Sequence, residues 1–244
     1  MGSTGIIFRR ELASYFVTPL AYVFIVIFLV LCAWFTFYLG NFYQRGQADL
    51  APFFNFLPWL FLFLLPAISM RLWAEERGSG SIELLMTLPV TLAQAVTGKF
   101  LAAWTFSGIA LALTFPIWIT VAYLGDPDNG AIFVGYLGAW LVAGGCLAIG
   151  ACMSALTRNQ VIAFLLGVIA CLVMLLAGFP MVLDFAGSFL PRAIVDAIAG
   201  FSFLTRFDAI SKGVLDIRDL LYFFMLIAFW LTTTAIVLDM KKAE

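Results

Sequence analysis

Between Glu11 and Arg45 the chain carries no charged side chain, and most of that run is large and apolar. No other feature restricts the fold so tightly. A hydrocarbon core of roughly 30 Å is crossed by about 20 apolar residues in a helix. A helix bonds its own backbone groups where there is no water to bond them. Stretches of this kind recur, and the expected spans are residues 20–40, 50–70, 100–125, 131–156, 160–183 and 220–238. The expected fold class is an all-α integral membrane protein with six transmembrane helices, a single membrane domain over residues 1–244. Composition agrees, with 64% of residues hydrophobic and 11% charged, against about 45–50% and 25% in soluble domains. Pro58, Pro66 and Pro116 fall inside spans, where neighbouring helices can satisfy the carbonyls that a proline frees.

Several functions are excluded on the same residues. A net charge of −1 argues against nucleic acid as a partner. The chain has no histidine, the commonest general base and metal ligand. Cys32, Cys146, Cys152 and Cys171 lie in apolar runs without a CxxC pair, so they read as small core residues rather than as a metal site or a disulfide framework. Gly98-Lys99 is tempting as a phosphate loop, but Ala93 and Phe100 stand where that motif needs glycine and a hydroxyl. Met1-Gly2 fails the myristoylation pattern because Ile6 replaces the required hydroxyl. Arg9-Arg10 precedes an apolar run too long for a leader and without a small-residue cleavage site, so no cleaved signal peptide is expected. Ionisable residues inside spans mark proton and ion paths. The expected spans hold essentially none, which argues against an ion-coupled carrier and against an intramembrane hydrolase.

Outside the spans, residues 5–19 put Phe8, Leu12 and Phe16 near one helical face and Arg9 and Arg10 on the other, the pattern of a helix lying in the membrane interface. Thr18-Pro19 separates it from the first span. Lys241-Lys242 and the tight turn at Arg158 place the N- and C-termini on the cytoplasmic side, while Asp126 and Asp128 suit the outside. The fourth span is rich in glycine and alanine and is expected to be buried in the bundle. Residues 184–219 are too long for a turn and too apolar for a solvated loop, and read as short amphipathic extracytoplasmic helices before the last span.

The segment of residues 76–89 is a charged island in this apolar chain. Gly78 and Gly80 interrupt the end of the second span so that the chain can turn. Ser81 with Glu83 close behind can start a short helix. Leu84, Leu85 and Leu88 form a knob for a partner's groove, Glu76, Arg77 and Glu83 rim it, and Pro89 ends it. The run Glu75-Glu76-Arg77-Gly78-Ser79-Gly80-Ser81-Ile82-Glu83-Leu84-Leu85-Met86-Thr87-Leu88-Pro89-Val90, followed by Gly98-Lys99-Phe100-Leu101, resembles the permease subunits of type-2 ABC exporters. Residues 203–207 and 210–223 resemble the gliding-motility-associated (GldF-like) branch.

That resemblance implies a coupling helix at residues 76–89, in which Glu75, Glu76, Arg77, Gly78, Gly80, Glu83, Leu84, Leu85, Leu88 and Pro89 meet a cytoplasmic ABC ATPase dimer. It implies no catalytic residue or cofactor in this chain, with ATP and Mg on the partner ATPase. It also implies a second permease subunit, identical or not, a companion subunit with an extracytoplasmic domain, contact with membrane lipid, and a place in the bacterial inner membrane. The alternatives are a secondary carrier or channel that works without an ATPase, and a membrane assembly subunit that moves no solute.

Overall fold

Thr18 is extended and Pro19 opens the next helix, so the amphipathic start of the chain and the first long apolar run become separate elements. The computed structural model describes residues 2–82 and 90–241, and every regular element among them is helical. Helix α1 spans Ser3–Val17 and α2 spans Pro19–Trp34; α2 continues as a π-helical turn, Phe35–Leu39, and a short α3, Phe42–Arg45. Then come α4, Ala51–Ser69, and α5, Arg71–Ser79, followed by α6, Leu92–Ala112, and α7, Phe115–Leu124. The remainder is α8, Asn129–Leu156; α9, Gln160–Leu176; α10, Pro180–Gly187; α11, Arg192–Gly200; α12, Phe203–Ser211; and α13, Ile217–Met240.

Five stretches are long and apolar enough to cross a membrane: Ala21–Arg45, Ala51–Ser79, Leu92–Leu124, Asn129–Leu156 and Ile217–Met240. A sixth exists if α9 and α10, bent by 71°, count as one. The span expected at 160–183 falls on this bent pair. Pro180 has no N–H to return to the helix, and the bend is held from outside by Ser202, which donates to the Leu175 carbonyl at 3.3 Å. Gly178 lies so close that a Cβ there would stand 2.3 Å from the Ser202 hydroxyl.

The helix that holds the third expected span starts at Leu92, because Thr91 and Gln94 form a reciprocal capping box. Lys99 therefore lies inside this helix, two turns from its start. The break before Pro116 is closed by the Thr114 hydroxyl, which donates to Leu111 O at 2.6 Å and sits 2.9 Å from the Tyr136 hydroxyl.

Helix α8 is the centre of the bundle, touching α4, α5, α6, α9, α12 and α13. Its glycines explain how so many helices fit around it, since small residues let backbones approach where lipid offers no hydrophobic drive. A Cβ on Gly150 would lie 1.9 Å from the Ser69 hydroxyl. Between α6 and α8 the contact is reciprocal. Trp104 and Trp140 stack at 4.3 Å between ring centroids. Each indole N–H donates to the other residue's carbonyl, at 2.8 Å and 3.1 Å. Trp104 covers Gly144 and Trp140 covers Gly108.

Of the segment expected outside, α12 is drawn against the bundle: Phe203, Phe207 and Ile210 are buried, with Ile210 over Gly138. Helices α10 and α11 bury no residue. Arg206 on α12 pairs with the buried Asp219 at the start of α13 at 2.9 Å and lies over the Tyr222 ring.

Candidate functional site

The segment singled out in the sequence begins as a rigid extension of the second span. Met70 joins α4 to α5, and the amides that such a junction frees are taken up by α8. The Ser154 hydroxyl accepts from Trp73 N at 3.1 Å and Ala74 N at 3.0 Å, and donates to Met70 O at 2.7 Å. This is a complete use of one buried hydroxyl, and it fixes the angle at which α5 leaves the bundle.

Helix α5 then presents Arg71, Glu75, Glu76 and Arg77 in sequence. Arg71 and Glu75, one turn apart, form a bidentate pair at 2.8 Å and 3.2 Å. Glu76 faces inward and pairs with Lys99 of α6 at 2.8 Å. Lys99 also reaches Glu11 of α1 at 3.3 Å and lies 5.3 Å from the Trp73 ring centre. Glu11 in turn binds Arg10 at 2.8 Å. The Lys99 side chain is only 4% exposed, so three elements are tied together through one buried ammonium. Glycine makes this possible: Gly98 seats Ile7 of α1, and a Cβ there would stand 2.9 Å from it. Tyr15 extends the seam by stacking on Phe106 at 4.9 Å. The dipeptide Gly98-Lys99, rejected above as a phosphate loop, thus serves to bring α1 against α6 and clamp it there.

Burial raises the pKa of the Glu11 carboxyl, but the charge of Lys99 and the hydrogen bond and charge of Arg10 outweigh it, and the group is held below its ordinary 4.5. A carboxylate with a depressed folded-state pKa stabilises the fold above its unfolded value and loses that contribution as pH falls through the folded one. The apparent unfolding temperature of the detergent-solubilised protein is therefore expected to fall more steeply below pH 4.5 than that of Glu11→Gln. Parallel profiles for the two proteins would remove Glu11 from the clamp.

Arg77 is turned the other way and donates to the Ala155 carbonyl. Lys241 donates to Leu156 O at 2.6 Å. Both cations sit at the C-terminal end of α8, where the free carbonyls and the helix dipole favour them. Gly78 lies within α5 against the Arg158 carbonyl, at 3.0 Å for a hypothetical Cβ. The turn itself falls at Gly80, with φ +74°, so the two glycines have different tasks. Glu83, Leu84, Leu85, Leu88 and Pro89 lie outside the described residues. On α1, Leu12 and Phe16 pack towards the core, Phe8 is half-buried, and Arg9 and Arg10 are exposed.

The sequence reading brought out Glu75, Glu76 and Arg77 but not Glu11 and Lys99, which complete the cluster. The available signal was a lysine directly after a glycine near the start of an apolar run. No group of potential metal ligands occurs among the described residues. Chemically the cluster can transmit displacement: a shift of α5 must move or break its links to α1 and α6. One Glu76 oxygen is buried with no hydrogen-bond partner among the described residues, so the acid's position is not fully satisfied.

Residues 6–238 match a family model described as ABC-2 family transporter protein. No curated protein matches the chain.

Proposed function

We propose a function from one premise, that the chain belongs to the ABC-2 family of transporter proteins. It is the permease subunit of an ATP-driven machine, and a separate cytoplasmic ATPase supplies the hydrolysis, with ATP and Mg bound there. Two permease subunits pair with two ATPases. Residues 76–89 are the coupling element that the ATPase grips. The observation that carries this reading is the ionic clamp Glu11–Lys99–Glu76. It gives the segment leading into that element a firm hold on both α1 and α6, so a push on the loop is passed to the bundle.

The orientation follows from the cations. Arg77 and Lys241 gather at one end of α8, and Arg158 follows that end directly. Excess lysine and arginine favour the cytoplasmic face, which puts both termini inside at a bacterial inner membrane. The work done is export or the transmission of force to an extracytoplasmic companion. The likeness of residues 203–207 and 210–223 to the gliding-type branch supports the second.

The direct test is purification from the native host in mild detergent, with mass spectrometry of the intact complex. One ATPase per permease chain is the expected result, and a chain that emerges alone in several detergents refutes the reading. The double variant Glu83→Ala, Leu85→Ala is expected to insert normally but to hold the ATPase more weakly by about 1–3 kcal/mol, the usual cost of losing an anchor at a small interface. Unchanged co-purification and unchanged stimulation of ATPase activity would move the coupling element elsewhere.

A further inference from the structure

At the end of α9 the chain leaves the bundle, and it returns almost to the point of departure. Leu175 and Ser202 are buried, and no residue from Leu176 to Phe201 is. Within this stretch α10 and α11 pack on each other, and Phe185 meets Phe189 edge to face at 5.3 Å. Its two ends are pinned together. Ser202 donates to the Leu175 carbonyl, and Gly178 is seated so closely that a Cβ there would collide with the hydroxyls of Ser202 and Thr205. A surface loop with close ends and no buried residue moves at a small fraction of the free energy that unfolds the whole protein.

A side chain of the last span reaches the returning end: the Tyr222 hydroxyl of α13 donates to the carbonyl of Phe201, the residue that caps α11. Tyr222 is itself placed by charge. Arg206 lies over its ring, 5.6 Å from the centre, and Asp219 holds Arg206 at 2.9 Å. Asp219, Arg206, Tyr222 and Phe201 thus form a chain of contacts from the start of α13 to the end of α11. The ion pair in this chain is built to release. Arg206 bonds Asp219 through Nη1, while its buried Nε has no hydrogen-bond partner among the described residues, so the firmer two-bond geometry is not used. Each partner is also tolerable without the other. Asp219 lies in the first turn of α13, where free amides and the helix dipole favour a carboxylate. Arg206 is 33% exposed and can turn to water.

We propose that residues 180–201 form a flap that swings as one body about the pinned ends Gly178 and Ser202, and that Asp219 and Arg206 are positioning residues that hold it in place through Tyr222. The flap is a conformational device of this chain alone and requires neither an ATPase nor a transported solute.

The test is pulsed electron paramagnetic resonance on the whole chain, with spin labels at pairs of introduced cysteines. The four native cysteines are buried and do not take label. Met181→Cys on α10 and Ala197→Cys on α11 are exposed flap positions, and Tyr123→Cys and Met225→Cys are exposed positions on the bundle. Tyr222→Phe keeps the ring and removes the bond to Phe201. It is expected to raise the population of a second distance about fivefold, the ratio set by losing one hydrogen bond, in both 123–181 and 123–197. The distance 181–197 within the flap and the distance 123–225 within the bundle stay as they are in the parent. Asp219→Asn is expected to act in the same direction. Combined with Tyr222→Phe it adds nothing, because both substitutions act on the same bond; a role in general stability would instead add and would broaden 123–225. Tyr222→Phe carries the test if Asp219→Asn does not fold. An unchanged distribution in Tyr222→Phe, a change in 181–197, a change in 123–225, or additive effects in the double variant overturns the proposal.

Discussion

Lys99→Met lowers the apparent unfolding temperature of the detergent-solubilised protein by on the order of 10 °C. The substitution keeps the length and the apolar stem but removes the ammonium that Glu11 and Glu76 share at 3.3 Å and 2.8 Å. The mostly buried Glu76 then loses its ion-pair partner, and Glu11 keeps only Arg10. Removing one member of a buried ion pair costs about 3–5 kcal/mol, mainly because the remaining charge is stranded. The control separates charge from shape. Lys99→Met together with Glu11→Gln and Glu76→Gln has no stranded charge and is expected to recover most of the loss, since a buried ion network replaced by neutral groups of similar volume is often close to neutral in stability. A single variant as stable as the parent, or a triple variant no better than the single, would show that the cluster does not clamp α1 to α5 and α6.

Gly144→Ala is the second large effect. An added methyl would stand 2.8 Å from the Trp104 indole nitrogen and 2.9 Å from Ile227 Cδ1. The indole has to leave its place, and with it go the 2.8 Å bond to the Trp140 carbonyl and the stack at 4.3 Å. Overpacking costs about 1–3 kcal/mol, the hydrogen bond about 1, and the ring pair about 0.5–1.5. Alanine's better helix propensity returns at most about 1, so the net loss is about 2–4 kcal/mol. A thermal double-mutant cycle with Trp104→Leu checks the assignment. Removing the indole should make Gly144→Ala much less costly, leaving only the contact with Ile227 Cδ1, and strictly additive effects would mean that the two residues do not meet.

Much of this fold was legible because hydropathy is a property of composition along the chain. The apolar runs, the glycine-rich character of the buried α8 and the stop at Thr18-Pro19 are all local. What the reading lacked was non-local. The third span was placed at residues 100–125, with Lys99 just outside it. In the structure its charge is met by acids that lie 88 positions earlier and 23 positions earlier in the chain. The fifth span was placed at 160–183 with no sign of the bend near Gly178, against which Ser202, just before a later helix, is packed. The paired Trp-x-x-x-Gly runs at Trp104–Gly108 and Trp140–Gly144 were on the page as sequence, yet neither announces its partner.

The candidate site divides in the same way. Glu75, Glu76 and Arg77 stood out as charges in an apolar chain, but their tasks differ: Glu75 is bound to its own helix, Glu76 to α6, and Arg77 to the end of α8. Sequence alone determined that the chain is a helical membrane protein, because a long apolar helix carries its membrane preference within itself. Only the tertiary structure decided which charges are buried together and which glycines are close approaches. Burial of an ion is tolerable only beside its counter-ion, and residues distant in the chain become neighbours only when helices pack.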